Sequence, residues 1–231
     1  MQSTRRSTVF AKQPRAGQVK TRLAPLIGAQ GAADLQIAML SDLLALHAAA
    51  GTPLELAVHP PESAEAMAEQ FPCAARVEAQ VGEDLGARLG GWFAAGPPGT
   101  TQVVVGADCP FVDPELVARA HGLLESGADA VFAPDGGGGY CLVGLANPVP
   151  GLFESVPVST EDNLACTLDE LLSRGLQVEL LPTHRDVDLP RDLERLMREL
   201  NSARERGDTH YPARTAEELG RLLEPACIDA R

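Results

Sequence analysis

The sequence has almost no lysine, no long apolar run and no paired cysteine motif. No apolar run reaches the ~18 residues a bilayer span requires, and the N-terminus MQSTRRSTVF carries no apolar signal segment, so membrane insertion and secretion are not expected. The five cysteines (Cys73, Cys109, Cys141, Cys166, Cys227) are odd in number, form no CxxC pair and show no metal-ligand spacing. That excludes a disulfide framework and fits reduced thiols in a cytoplasmic protein. The five histidines (His47, His59, His121, His184, His210) lack zinc-ligand spacing, and no G-x-S-x-G nucleophile elbow occurs. A net charge of −13 and a pI near 4.8 argue against nucleic acid as a partner.

Only two of the 19 Lys+Arg are lysines, Lys12 and Lys20, and both lie in one window, VFAKQPRAGQVKTRL (residues 9–23), with Arg15 and Arg22. A concentration of cations in an acidic chain reads either as a solvated basic turn or as a binding loop for an anion. A phosphate chain suits the second reading. Pro14 and Gly17 bend the backbone, Gly17 permits close approach, and Lys and Arg supply charge-assisted donors. Lys20-Thr21 superficially matches the end of a Walker A loop, but the glycine spacing is wrong, so this is not a P-loop.

The remaining pattern alternates strands and helices. Strands are expected at Thr8–Ala11, Leu54–Val58, Arg76–Val81, Gln102–Gly106, Asp129–Ala133, Tyr140–Leu145 and Gln177–Leu181. Helices are expected at Gln30–Ala50, Glu62–Gln70, within GEDLGARLGGWF, and at Pro114–Glu125, Glu161–Arg174 and Pro190–Leu200. Asp113 is a plausible N-cap, as is Ser159 or Thr160. The first long helix carries two apolar stripes (Leu35, Met39, Leu43, Leu46 and Ile37, Leu40, Leu44), which implies a wide buried face. Val103-Val104-Val105 reads as a central parallel strand covered on both faces. The fold class is therefore α/β, a doubly wound, mostly parallel sheet with helices on both faces. A single domain over residues 7–200 precedes a polar tail, 201–231, with one weak helix at Thr215–Leu223.

In such sheets ligands bind outside the carboxyl ends of the strands. The basic loop, Asp108 and the pair Asp186/Asp188 all fall at strand ends. Asp108, before Cys109-Pro110, is either a turn residue or a metal ligand. Asp186 and Asp188 point to opposite faces in an extended segment, so one can enter the site while the other caps the following helix. Two carboxylates with water and phosphate oxygens suit Mg²⁺, and a Lys12/Lys20/Arg22 clamp opposite it suits a leaving pyrophosphate or nucleotide. The run Gly136–Gly139 reads as a hairpin turn or as a ligand-facing loop. Tyr140 beside it either stacks and hydrogen-bonds or simply packs.

AKQPRAGQVKTRLAP, GEDLGARL, VVVGADCP, GGYCLVGL, PVST and RDVDLPRDL, in this order, resemble the GT-A-fold transferases labelled rSAM/selenodomain-associated transferase 1. The first and last are also similar to 2-phospho-lactate guanylyltransferases and molybdenum-cofactor nucleotidyltransferases. The resemblance implies Lys12, Gly17, Lys20, Thr21 and Arg22 on nucleotide phosphates, with Asp84 and Arg88 near the nucleotide. It also implies Asp108 and Asp188 on Mg²⁺ (or Mn²⁺), with Lys20, Arg22 and Asp108 catalytic. The acceptor pocket would include Asp135, Gly138, Gly139, Tyr140, Ser159 and Thr160. Four places depart from the resembled pattern. Gly137 stands where an acid precedes GGY, Ala107-Asp108-Cys109 replaces Ser-Asp-Ser, Val158 replaces Trp, and Leu189-Pro190-Arg191 replaces Thr-Pro-Glu. The metal acids persist while the acceptor side diverges. The implied partners are a nucleoside triphosphate or nucleotide-sugar and a small-molecule acceptor, on a monomer or homodimer. Three functions follow: nucleotidyl transfer, glycosyl transfer from a nucleotide-diphospho-sugar, or nucleotide binding without catalysis.

Overall fold

The structure, a computed structural model, describes residues 4–156 and 161–223. Strands β1 (Thr4–Lys12), β2 (Glu55–His59), β3 (Val77–Ala79), β4 (Thr100–Gly106), β5 (Ala130–Pro134), β6 (Tyr140–Leu145) and β7 (Val178–Leu180) form one seven-stranded sheet. Its order is β3-β2-β1-β4-β6-β5-β7, parallel except that β6 runs antiparallel to both β4 and β5. The helices are α1 (Ala24–Ala49), α2 (Ala64–Gln70), α3 (Leu85–Ala94), α4 (Pro114–Glu125), α5 (Asn163–Ser173), α6 (Pro190–Arg206) and α7 (Ala213–Leu223). The doubly wound α/β architecture implied by the strand pattern is the one observed.

β4 shows why. Val103 and Val105 join Val9, Leu40, Leu44, Leu116 and Val117 in the core beneath α1 and α4. Val104 faces the opposite way, toward Trp92 and Phe93 of α3, Phe132, and Leu171 of α5. A strand with period-two side chains and two covered faces favours apolar residues, hence the continuous valine run, while the buried Thr101 and Gln102 before it are satisfied by His121 and the Phe93 carbonyl. β1 begins at Thr4, four residues earlier than its apolar segment, because Thr4–Ser7 pair with Thr100–Val103. The guanidinium of Arg6 lies 4.2 Å from the Trp92 ring centre and is paired with Glu55 (2.8 Å) and Glu78 (3.0 Å), so a polar strand end is satisfied rather than solvated.

α1 is buried on two sides, as its two stripes require. Leu40, Leu43 and Leu44 face the sheet, while Leu35 and Met39 pack with Leu193, Leu196 and Leu200 of α6 and Leu219 of α7. It starts at Ala24, earlier than Gln30, and breaks helical geometry at Gly28 (φ 75°, ψ 159°), so its straight part follows that glycine. Among the described residues α1 is the one helix long and apolar enough to cross a bilayer, but it sits between the sheet and the α6/α7 layer, with 56% of its most apolar window buried. α6 continues past Leu200, and α7 is docked by Asp42, whose carboxylate accepts from the Thr215 amide (2.7 Å) and hydroxyl (2.8 Å).

His121 on α4 ties this face together. Its two ring nitrogens lie 2.8 Å from the Thr101 hydroxyl and 2.8 Å from that of Ser7, and the residue is 2% exposed. Burial, then the charge of Arg5, lowers its pKa from 6.5 to about 4. The neutral ring is the folded form, so the unfolded chain takes up the proton first on acidification. Stability is therefore full above pH 6.5 and declines as pH falls from 6.5 toward 4, by roughly 3 kcal/mol for a shift of this size. Urea unfolding from pH 7 to 4 should show this loss, and His121→Asn should remove that part of the pH dependence. Parallel pH profiles for the two proteins would sink it.

Candidate functional site

β1 and β4 are adjacent and parallel, so the basic loop and Asp108 leave the sheet side by side. Two hydrogen bonds fix the turn after β4. The Val187 amide donates to the Asp108 carbonyl (3.1 Å), placing the segment that carries Asp186 and Asp188 across the end of β4. The buried Gln36 amide on α1 donates to the Ala107 carbonyl (2.7 Å). Gly106 lets the Asp108 carboxylate fold back, since a Cβ there would stand 2.8 Å from its Oδ1.

Lys20 lies at the centre. Its Nζ is 2.6 Å from Asp108 Oδ2 and 3.6 Å from Asp188 Oδ1, and its side chain is only 7% exposed while those of the acids are 32% and 35%. The lysine thus lies beneath the two carboxylates, which face the cleft. Lys20 is the only non-glycine residue with positive φ (46°) among the described residues. That backbone costs an L-residue about 1–2 kcal/mol, and the paired side chain holds it there. Arg22 closes the group, its Nη1 2.7 Å from Asp188 Oδ2.

Burial lowers the Lys20 pKa, but the charges of Asp108, Asp188 and Asp186 and the hydrogen bond to Asp108 outweigh it, and the net shift is upward. For Asp108 burial acts upward and Lys20 outweighs it, so the carboxyl falls below its usual range. Asp186 has no such partner. Burial and then the like charge of Asp108 push it up to about 6. The helix cap is none of these acids. Asp192, which the sequence reading did not single out, accepts from the Leu189 (2.7 Å) and Asp188 (3.1 Å) amides and starts α6. Asp188 is left free for the site. The Asp three residues inside the helix start was the available signal.

A cleft of about 720 Å³ opens over this group, lined by Thr21, Arg22, Asp108, Asp186 and Asp188 together with the glycine loop, Tyr140, Glu161, Asp192, Arg185, Arg191 and Arg195. The glycine loop is largely internally determined. Asp135 accepts from the Gly137 (2.6 Å) and Gly139 (3.0 Å) amides, and Gly138 (φ 98°) packs so tightly on Glu161 that a Cβ would overlap its carbonyl oxygen. Asp135, Gly136, Gly137 and Gly139 still line the cleft, while Gly138 does not. Tyr140 lines it too, edge-on to Phe132 with ring centres 5.0 Å apart, and burial raises its hydroxyl pKa. Ser159 and Thr160 lie outside the described residues.

The remaining sequence candidates sit elsewhere on the same sheet edge. Lys12 is exposed and pairs in register with His59 on β2. Burial, then Arg88 and Lys12, lowers the His59 pKa, which places these three basic groups together beside the cleft rather than in its wall. Gly17 (φ 75°) turns the exposed loop, and the Asp84 carboxylate caps α3 by accepting from the Ala87 amide (2.8 Å). Among the described residues no group of three or more His, Cys, Asp or Glu is arranged to hold a metal. Asp108 and Asp188 do converge on one cation, and two carboxylates with phosphate and water oxygens are a sufficient donor set for Mg²⁺.

Lys20→Met would leave those carboxylates facing each other without their buried cation. The expected loss is roughly 3 kcal/mol in urea unfolding, the low end for breaking a buried pair, with millimolar Mg²⁺ restoring more stability to the variant than it adds to the wild type. Unchanged stability would show that the acids do not depend on the lysine.

A family model described as "Uncharacterized protein conserved in bacteria (DUF2064)" matches residues 42–160, which include Asp108 and the glycine loop. No curated protein matches the chain. A candidate nucleotide-diphospho-sugar transferase from Desulfovibrio desulfuricans superposes with a TM-score of 0.77 at 29% identity, over 95% of this chain and 98% of that one. The 4-diphosphocytidyl-2C-methyl-D-erythritol synthase of Anaerococcus prevotii superposes at 0.54 and 10% identity, over 86% and 99%. A cytidylyltransferase from Leptospira borgpetersenii gives 0.54 and 13%, over 99% and 100%. At these last identities the likeness is one of fold. The fold is that of the GT-A-like nucleotide-diphospho-sugar transferase superfamily, as the order of motifs implies.

Proposed function

The chain belongs to the DUF2064 family, and from its site we propose a metal-dependent transferase that moves a nucleotidyl group from a nucleoside triphosphate to an acceptor oxygen. The observation that carries this is the convergence of Asp108 and Asp188 on one cation, beside Arg22, in a cleft at the strand ends. Nucleoside phosphates need a cationic cradle, and in a chain of net charge −13 it has to be built locally.

In the reaction, an acceptor oxygen bonds to the α-phosphorus and gives up its proton to solvent. The bond from that phosphorus to the α–β bridging oxygen breaks, and pyrophosphate leaves with the electron pair. Arg22 at the rim is 67% exposed and free to swing from Asp188 onto phosphate oxygens. Lys20 stays beneath the carboxylates, orients both and keeps Asp108 ionised. Asp108 and Asp188 would hold a divalent ion such as Mg²⁺ or Mn²⁺, which would supply charge neutralisation on the phosphates.

A second reading is glycosyl transfer from a nucleotide-diphospho-sugar in the same cleft. The likeness to the Desulfovibrio protein favours it. Pyrophosphate release separates the two, since sugar transfer produces none. The expected result is Mg²⁺-dependent release from one of the four nucleoside triphosphates in the presence of a suitable acceptor, reduced at least ~10²-fold in Asp108→Asn and Asp188→Asn. Binding of nucleotide-sugars but not of triphosphates would move the assignment to the second reading. Nucleotide binding without turnover of either donor would leave a binding protein.

A further inference from the structure

Besides Arg22, three arginines line the cleft, Arg185, Arg191 and Arg195. Arg195 is committed, its Nη1 on Asp192 (2.7 Å) and its Nη2 on the Asp186 carbonyl. Arg185 and Arg191 make no ion pair or hydrogen bond through their side chains to any described residue, and both are exposed at the cleft wall. Arg185 is placed by packing, since a Cβ on Gly136 would stand 2.9 Å from its Nη1. Arg191 lies four residues before Arg195 on α6, so two like charges share one helix face, an arrangement that destabilises a helix. The acids that line the cleft with them are Asp135, whose carboxylate accepts from two loop amides, Asp192, held by Arg195, Asp186, and the exposed Glu161. Arg22 and Arg195 are paired with Asp188 and Asp192, so Arg185 and Arg191 are the cleft arginines without an ion-pair partner among the described residues.

We infer that Arg185 and Arg191 are the specificity-determining clamp for an acceptor that carries its own anionic group, a phosphate monoester or a carboxylate, apart from the oxygen that reacts. A guanidinium offers paired N–H donors that match either group, and two of them lining one cleft can orient a small acid beside the nucleotide phosphates. The word acceptor rests on the transferase reading; the anion clamp does not.

The test is calorimetric titration of glycerol 3-phosphate, lactate and glycerol into the full chain, with and without Mg²⁺ and each nucleoside triphosphate. The proteins are wild type, Arg185→Gln, Arg191→Gln and the double variant, with melting curves to establish folding. The inference expects glycerol 3-phosphate, lactate or both to bind and glycerol not to. It expects affinity to fall about tenfold or more in the double variant, while triphosphate binding stays within about twofold. Phosphate or carboxylate as the preferred group is read from the ratio of the two charged probes. Charged-probe binding that is absent in the wild type, or unaltered in the variants, overturns the clamp. So does a parallel loss of triphosphate binding, which would assign the arginines to the nucleotide. If no triphosphate binds but glycerol 3-phosphate binds through the arginines, the nucleotidyl reading fails and the clamp stands.

Discussion

Everything at the active edge of this protein depends on one buried cation between two carboxylates. Asp108 and Asp188 come from segments far apart in sequence that meet through the Val187–Asp108 backbone hydrogen bond and this ion pair, and neither has another strong cationic partner beneath the surface of the cleft. Without Lys20 their repulsion would splay the turn after β4 from the segment before α6. The contact is tight enough to hold Lys20 in a left-handed backbone that lysine disfavours. It leaves a third acid, Asp186, only partly compensated, with a pKa near 6. A strained backbone and a shifted acid at one place, in a cleft, are the usual physical signs of a site built for ligand and not for stability alone.

The rest of the fold supplies rigidity to that point. The β1–β4 ladder delivers two loops side by side, and α1, buried on both sides, fastens the Ala107 carbonyl through Gln36. α6 is started by Asp192, so Asp188 is not needed as a cap. The cleft's charges then differ in character. Lys20, Arg22, Asp108 and Asp188 are paired with one another. Arg185 and Arg191 have no partner among the described residues, which is where a ligand's own charge has most effect on recognition.

Much of this was legible in the chain itself. The valine run of β4, the cap Asp113 and the apolar stripes of α1 are local patterns, and local patterns survive in sequence. The site was legible only as a set of residue types at strand ends. Lys20 and Asp108 are 88 positions apart and Arg22 and Asp188 166 apart, so which partners meet is decided by strand order alone. Lys12 and Lys20 look equivalent in sequence. They separate in space because the intervening turn sends Lys12 toward His59 and buries Lys20 under Asp108. The glycine run looked like a ligand loop, but part of its glycine content answers to Glu161 and Asp135 instead.

The central claim is that Asp108 and Asp188 form a cation site completed by nucleotide phosphate. The most direct measurement is a Mn²⁺ titration followed by electron paramagnetic resonance, with and without nucleoside triphosphate, on wild type, Asp108→Asn and Asp188→Asn. The account predicts a single Mn²⁺ per chain whose affinity rises when triphosphate is present and is lost in both variants. Mn²⁺ binding that is indifferent to triphosphate and to both substitutions would contradict it.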